Sequence, residues 1–159
     1  MDFNALDHQY FMREALREAE QAGLAGESPI GAVIVHNGII VGRGRARHEE
    51  RHSEIAHAEL NALLEAEKHI HDHIHDGIVL YTTVEPCVMC LGAVVMSDVD
   101  HIVFGLYDGN IHPEQMLTIP YVRRHIRDYL GGVLAAESLE LFRRFRREGI
   151  RFFSTSVSH

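Results

Sequence analysis

The residues able to do chemistry stand in two short segments, His57-Ala58-Glu59 and Pro86-Cys87-Val88-Met89-Cys90. Cysteines three positions apart share one face of a helical turn, so both sulfurs can point at a single ion. At a helix start the positive end of the dipole favours them as thiolates. A nitrogen from His57 would complete a Cys2His set, which suits zinc and leaves one tetrahedral position open, as in a catalytic centre rather than a closed structural one. Two thiolates cancel the formal charge of the cation, so water there needs a proton acceptor close by, and Glu59 is that carboxylate. In mid-helix the His-X-Glu spacing would turn the two side chains to nearly opposite sides. The triplet is therefore expected in the first turn of its helix, with the metal beyond the end. The chemistry so specified is hydrolytic, with metal-bound water as nucleophile and Glu59 moving its protons.

The elements that must position these residues follow from periodicity. Residues 5–22 place Leu6, Tyr10, Leu16 and Ala19 near the spacing of an amphipathic helix, and Gly23 stops it. Residues 30–36 and 39–42 are apolar, β-branched runs joined by Asn37-Gly38, the pattern of an antiparallel hairpin. Residues 45–55 are polar without a period, whereas 57–68 are rich in Ala, Leu and Glu and read as helix. Residues 78–83 form a strand, after which Pro86 sits where a helix commonly begins, so the cysteine pair opens a helix. A buried strand at 101–106, a loop through Pro120, a strand within 127–134 and a helix near 136–147 complete the order α β β α β α β β α. Such alternation predicts an α/β chain with one mixed sheet between helices.

The length of 159 residues and 46% hydrophobic content fit one domain, residues 1–159, with a substantial core. A net charge of −8 opposes a broadly basic nucleic-acid surface. The arginine-rich run at 142–151 reads as the solvated face of an amphipathic helix rather than a phosphate patch. No apolar run approaches the roughly 20 residues of a membrane span, and MDFNALDHQYF lacks a basic start followed by a greasy stretch. Two neighbouring cysteines serve a metal or redox chemistry rather than a secreted fold, so the expected compartment is the cytoplasm, with no membrane partner.

Together, His-Ala-Glu and Pro-Cys-X-X-Cys form the signature of zinc deaminases acting on nucleobases. Adding the segment Pro29 to Val35, Arg51-His52, Glu85 to Cys90 and Val103-Phe104-Gly105, the chain resembles, over nearly its whole length, the cytidine deaminase superfamily. The branch is that of tRNA adenosine deaminases and guanine or cytosine deaminases. The resemblance implies a three-layer α/β/α fold with a central mixed five-stranded sheet. It implies one Zn2+ per chain on His57, Cys87 and Cys90, with Glu59 as catalytic proton carrier. The substrate base would lie over the metal with Ile30, Ala58, Glu85 and Pro86 among its contacts, and the chain would form a homodimer. The reaction replaces an exocyclic amine by a carbonyl and releases ammonia.

Two departures bear on the substrate. Relatives acting on tRNA adenosine carry Gly-X-Gly-X-Asn on the second strand, where this chain has Gly42-Arg43-Gly44-Arg45-Ala46. The stretch from Asp108 to Pro113 keeps the aspartate but not the small-residue loop of the tRNA-acting enzymes. With the acidic charge, these changes favour a free base, nucleoside or related small aminated heterocycle over tRNA adenosine. Two other classes compete: a structural-zinc domain that binds nucleotides or RNA without catalysis, which leaves Glu59 without a role, and thiol redox chemistry, which leaves His57-Ala58-Glu59 without one. The run His69-Ile70-His71-Asp72-His73-Ile74-His75-Asp76 reads as a solvated loop before the third strand, because no bonds fixing its rings are evident. Met89 and Met96 read as packing, and His48, His52, His101 and His125 as surface or satisfied histidines. His112 lies in the loop that shapes the pocket in the resembled family and is the one to watch.

Overall fold

The computed structural model describes residues 1–157. In chain order its elements are α1 (His8–Leu24), β1 (Gly31–His36), β2 (Ile39–Arg45), a one-turn α2 (His48–Arg51), α3 (Ala58–Asp72), β3 (Val79–Val84), α4 (Val88–Met96), β4 (His101–Asp108), α5 (Pro120–His125), β5 (Asp128–Leu130), α6 (Ala135–Phe145) and β6 (Phe153–Ser154). The sheet runs β2-β1-β3-β4-β5. β1 is antiparallel to both β2 and β3, while β3, β4 and β5 are parallel. The two-residue β6 adds antiparallel to the end of β4, a sixth strand where five were expected.

Period-two alternation makes three layers of this chain. Ala32, Ile34, Leu80, Ile102 and Phe104 face α3, α4 and α5. Val33, Val35, Val79, Tyr81 and Val103 face α1, and Leu106 and Val84 meet Ala135 and Phe142 of α6. Strands buried on both faces read as continuous apolar runs, as β1, β3 and β4 do. Each large apolar side chain fully withdrawn from water contributes about 1.5–3 kcal/mol.

Topology fixes where a site can be. The start of β1, the ends of β2, β3 and β4 and the N-termini of α3 and α4 all fall at one pole of the sheet. Carboxyl ends of parallel strands and helix N-termini together are the binding pole of open α/β sheets. The glycines of β2 let α3 lie close: a Cβ at Gly44 would overlap the Ala58 carbonyl oxygen and the Ala62 amide nitrogen, and one at Gly42 would press on the Ala62 carbonyl.

Four expectations need correction. The polar stretch after β2 contains α2, and the expected loop before Pro120 holds a 3-10 turn, Pro113–Thr118, followed by α5; elements this short leave no period to read. Pro86 lies outside α4, whose N-cap is Cys87, because the chain must still turn off β3 before the helix begins. The histidine run is an exposed turn only over its second half: α3 continues through Asp72, with Ile70 in the core and His69 and the C-cap His73 turned onto buried His36. The arginine-rich run does lie at the surface, Arg144 pairing with Glu20 at 2.8 Å while Phe142 is buried.

Candidate active site

The binding pole carries the residues singled out by chemistry. His57 is the N-cap of α3 with extended backbone, and Glu59 lies in the first turn, the arrangement that the His-X-Glu spacing demanded. Cys87 caps α4 and accepts the Cys90 amide at 3.5 Å, so the next helical turn brings both sulfurs together. His57 Nδ1 lies 3.5 Å from Cys87 Sγ and 3.5 Å from Cys90 Sγ. Zinc–sulfur bonds of about 2.3 Å and a zinc–nitrogen bond of about 2.0 Å, set at the tetrahedral angle, separate S and N by about 3.5 Å. The donors thus have both the chemistry and the spacing to hold zinc.

Electrostatics agree with that use. A hydrogen bond with the Cys90 thiol, followed by one from His57, draws the Cys87 pKa down to about 4 against the cost of burial. Cys90 is the reverse case: hydrogen bonding to Cys87, with burial behind it, holds its proton on. The opposite directions belong to one pair sharing a proton, and a divalent cation would replace it. Glu59 is buried, and desolvation first of all raises its pKa above the ordinary carboxylate value. Its Oε1 meets Thr82 Oγ1 of β3 at 3.0 Å.

A cavity of about 160 Å³ opens over these groups, lined by Ile30, Ala46, His48, Ala58, Glu85 and Ile111 beside His57, Glu59 and Cys87. At ~30 Å³ per water it has the scale of one heterocycle and is smaller than common cofactor sites. Of the contacts expected from resemblance, Ile30, Ala58 and Glu85 line it, whereas buried Pro86 does not. His112 falls outside as well, against a neighbouring cavity of about 260 Å³ that shares Glu85 and Asp108.

The fold and site match a known family. Residues 6–106 fit the cytidine and deoxycytidylate deaminase zinc-binding region. The chain belongs to this family. The deaminase is 36% identical over 153 residues to the tRNA-specific adenosine deaminase of Streptococcus pyogenes serotype M18 (strain MGAS8232), a match covering 94% of this chain and 96% of that protein. A structure from work on A-to-I editing by tRNA:A34 deaminases at the wobble position of transfer RNA is 31% identical, with a TM-score of 0.75 over 83% of this chain and 98% of that one. Guanine deaminase from Bacillus subtilis is 32% identical, with a TM-score of 0.59 over 65% of this chain and 66% of that one. The deaminase is accordingly a zinc-dependent hydrolytic enzyme with the cytidine deaminase-like fold.

Several residues that build the deaminase site carry no recognisable motif. Asn61 donates to the Arg45 carbonyl at 2.8 Å and accepts from Arg51 at 2.9 Å, tying α3 to the end of β2 and to α2. Asp108 Oδ1 accepts the Asn110 and Ile111 amides, both at 2.8 Å, which curls the loop and brings Ile111 over the cavity. Both oxygens of Glu85 are engaged, by the Asp108 amide at 2.9 Å and the Tyr129 hydroxyl at 2.8 Å. His48 packs edge-on to His57, with ring centroids 5.0 Å apart. Phe153 closes one wall from the far end of the chain. Sequence pointed to two of these, Glu85 through its place beside the cysteine motif and the Asp108 loop through its departure from the tRNA-acting pattern.

Proposed function

We propose that this deaminase converts adenosine to inosine in tRNA, with His57, Cys87 and Cys90 as zinc ligands and Glu59 as the catalytic proton carrier. The observation that carries the reading is a hydrolytic constellation under a one-base cavity in a chain whose similarity to a tRNA-specific adenosine deaminase runs nearly end to end. A cavity of this size holds the base and leaves ribose and phosphates outside, as recognition of a splayed-out nucleotide requires.

Zinc bound by the three ligands supplies the Lewis acidity that makes water a nucleophile near neutral pH. Glu59 Oε takes the proton lost by the attacking water and delivers it to N1 of the purine. It then helps proton transfer to the departing C6 amine, which leaves as ammonia. A hydroxyl has one proton to give. When Glu59 is ionised, Thr82 donates to it; when Glu59 carries the proton, Thr82 accepts and turns its own proton to the Val84 carbonyl, 3.0 Å away. The carboxyl is therefore satisfied in both states of its cycle. Ile30 and Ala58 supply apolar walls, and Glu85, held by two donors, keeps the rim in place.

A second reading, deamination of a free purine base, is favoured by one observation. Ala46 is 1% exposed at the cavity wall, so no side-chain amide stands there to hold a ribose. The same proposal includes a single deaminase domain over 1–159, a cytoplasmic setting in keeping with two free thiols, and a homodimer. Leu64 of α3 and Met96 of α4, 59% and 71% exposed beside one groove, support the last. Among the described residues no helix is long and apolar enough to cross a membrane.

The test offers zinc-loaded protein an adenosine-containing tRNA anticodon stem-loop, free adenosine, guanine and cytosine. Product bases are identified by mass, and ammonia is measured. Inosine formed in the stem-loop is the expected result. Turnover of guanine with the stem-loop untouched would replace it by the second reading, and bound zinc with every amine intact would favour a binding domain.

A further inference from the structure

The pole of the sheet opposite the active site holds a second cluster of metal-ligand type. His36 ends β1, and His69 and His73 are four residues apart on the C-terminal end of α3, where i and i+4 share a face. One ring nitrogen of each of the three lies within 4.8 Å of the other two. His36 is 5% exposed, and the ring centroids are 5.0 Å (His36–His69), 4.8 Å (His36–His73) and 4.2 Å (His69–His73) apart. Measured along α3 from His57, the cluster is about 18 Å from the catalytic group at 1.5 Å per residue.

Hydrogen bonds outside the cluster orient the rings. His36 Nε2 lies 3.0 Å from Asp76 Oδ2, so Nε2–H donates to the carboxylate and the Nδ1 lone pair faces His69 Nε2 at 2.8 Å. His73 Nδ1 lies 2.8 Å from the His69 carbonyl, so Nδ1–H donates there and the lone pair is on Nε2. A carboxylate behind one ligating histidine and a backbone carbonyl behind another are the partners that fix tautomer and direction in metal sites. Nitrogens about 2.0 Å from one tetrahedral ion are about 3.3 Å apart, so His36 and His69 need open by only half an ångström. Alternate histidines of the run do not join: His71 lines the α3–α4 groove, and His75 lies 3.9 Å from Asp98 and 3.8 Å from Asp100.

The geometry points to a second, non-catalytic metal site in which His36, His69 and His73 bind a late first-row divalent cation, zinc in the first instance, oriented by Asp76. Three neutral imidazoles suit zinc, nickel or copper rather than magnesium or calcium. An ion there clamps the end of α3 and the turn after it to the β1–β2 hairpin, fastening from the far end the helix whose first turn carries His57 and Glu59.

The test is metal stoichiometry on the full chain, dialysed against buffered zinc at low micromolar free metal. Two zinc ions per chain are expected in the wild type and one in the double variant His69→Gln, His73→Gln. Asp76→Asn should bind the second equivalent about 10-fold more weakly or worse. Added zinc should raise the melting temperature of the wild type and not of the double variant. Cobalt distinguishes the sites, because only the cysteine site gives a thiolate-to-metal band and the second equivalent should add none. Deaminase turnover of the double variant should equal the wild type, which also shows that it folds. A single zinc per chain in the wild type, or a second equivalent retained by the double variant, would overturn the site.

Discussion

Thr82 Oγ1 lies 3.0 Å from Glu59 Oε1, in a pair sealed from solvent between β3 and the first turn of α3. It is the direct side-chain hydrogen bond through which the sheet holds Glu59, the proposed proton carrier, and it couples two residues that no local motif joins. Hydrogen bonds to charged groups are worth about 1.5–3 kcal/mol, so Thr82→Val should lower kcat about tenfold or more with KM nearly unchanged. Thr82→Ser should restore most of the loss. Full zinc content in the valine variant would separate positioning of Glu59 from damage to the metal centre, and a wild-type kcat would remove Thr82 from the mechanism.

Gly44 sets how closely α3 can approach β2. Gly44→Ala must push the Ala58–Ala62 backbone away, at about 1–3 kcal/mol by the cost of overpacking. At about 2–4 °C per kcal/mol for a domain of this size, the melting temperature should fall by several degrees. Because His57 and Glu59 start the displaced helix, activity should fall below what the loss of folded protein accounts for. A calorimetric melt beside single-turnover kinetics measures both.

Glu27 sits buried under α2, its carboxylate accepting the Glu49 amide at 3.2 Å and the Glu50 amide at 2.9 Å. Burial alone would raise its pKa; the hydrogen bonds from Glu50 and Glu49 prevail and leave it below the usual 4.5. A lowered folded pKa contributes stability that is fully present above the unfolded value and lost as pH falls through the folded one. Glu27→Gln should therefore cost on the order of 1 kcal/mol at neutral pH. Its melting temperature should depend less steeply on pH below 4.5 than that of the wild type. Parallel melting curves across that range would contradict the assignment.

Ala46→Asn tests substrate choice. Placing an amide on the cavity wall beside Ile30 and His48 restores the residue of the tRNA-acting pattern. One added hydrogen bond of about 1 kcal/mol corresponds to roughly a fivefold higher kcat/KM on an adenosine stem-loop. Improvement on guanine alone, or loss on the stem-loop, would favour the free-base reading.

What could be read from sequence divides along physical lines. That His57, Glu59, Cys87 and Cys90 come together was legible because two short motifs carry both donor chemistry and helical spacing, and the strands were legible because β-branched runs alternate with helices. Thr82, Asn61 and Phe153 were not, since they reach the site only through strand order and through the return of the chain end to β4. Ala46 lines the cavity, but a lone methyl group in sequence does not say which substrate it meets. His69 and His73 looked solvated because their partner, His36, is 33 residues from His69 and meets it only across the packed sheet and helix.

The most direct test of the account is Glu59→Gln, which keeps the shape of the side chain and removes its ability to carry a proton. Turnover of the adenosine stem-loop and the cobalt–thiolate band of the His57, Cys87 and Cys90 site should be measured on the same preparation. The expected result is an unchanged band with kcat reduced by about 10²–10⁴, the contribution of a positioned general acid–base. Undiminished turnover with the band intact would contradict the assignment of the proton carrier and with it the mechanism.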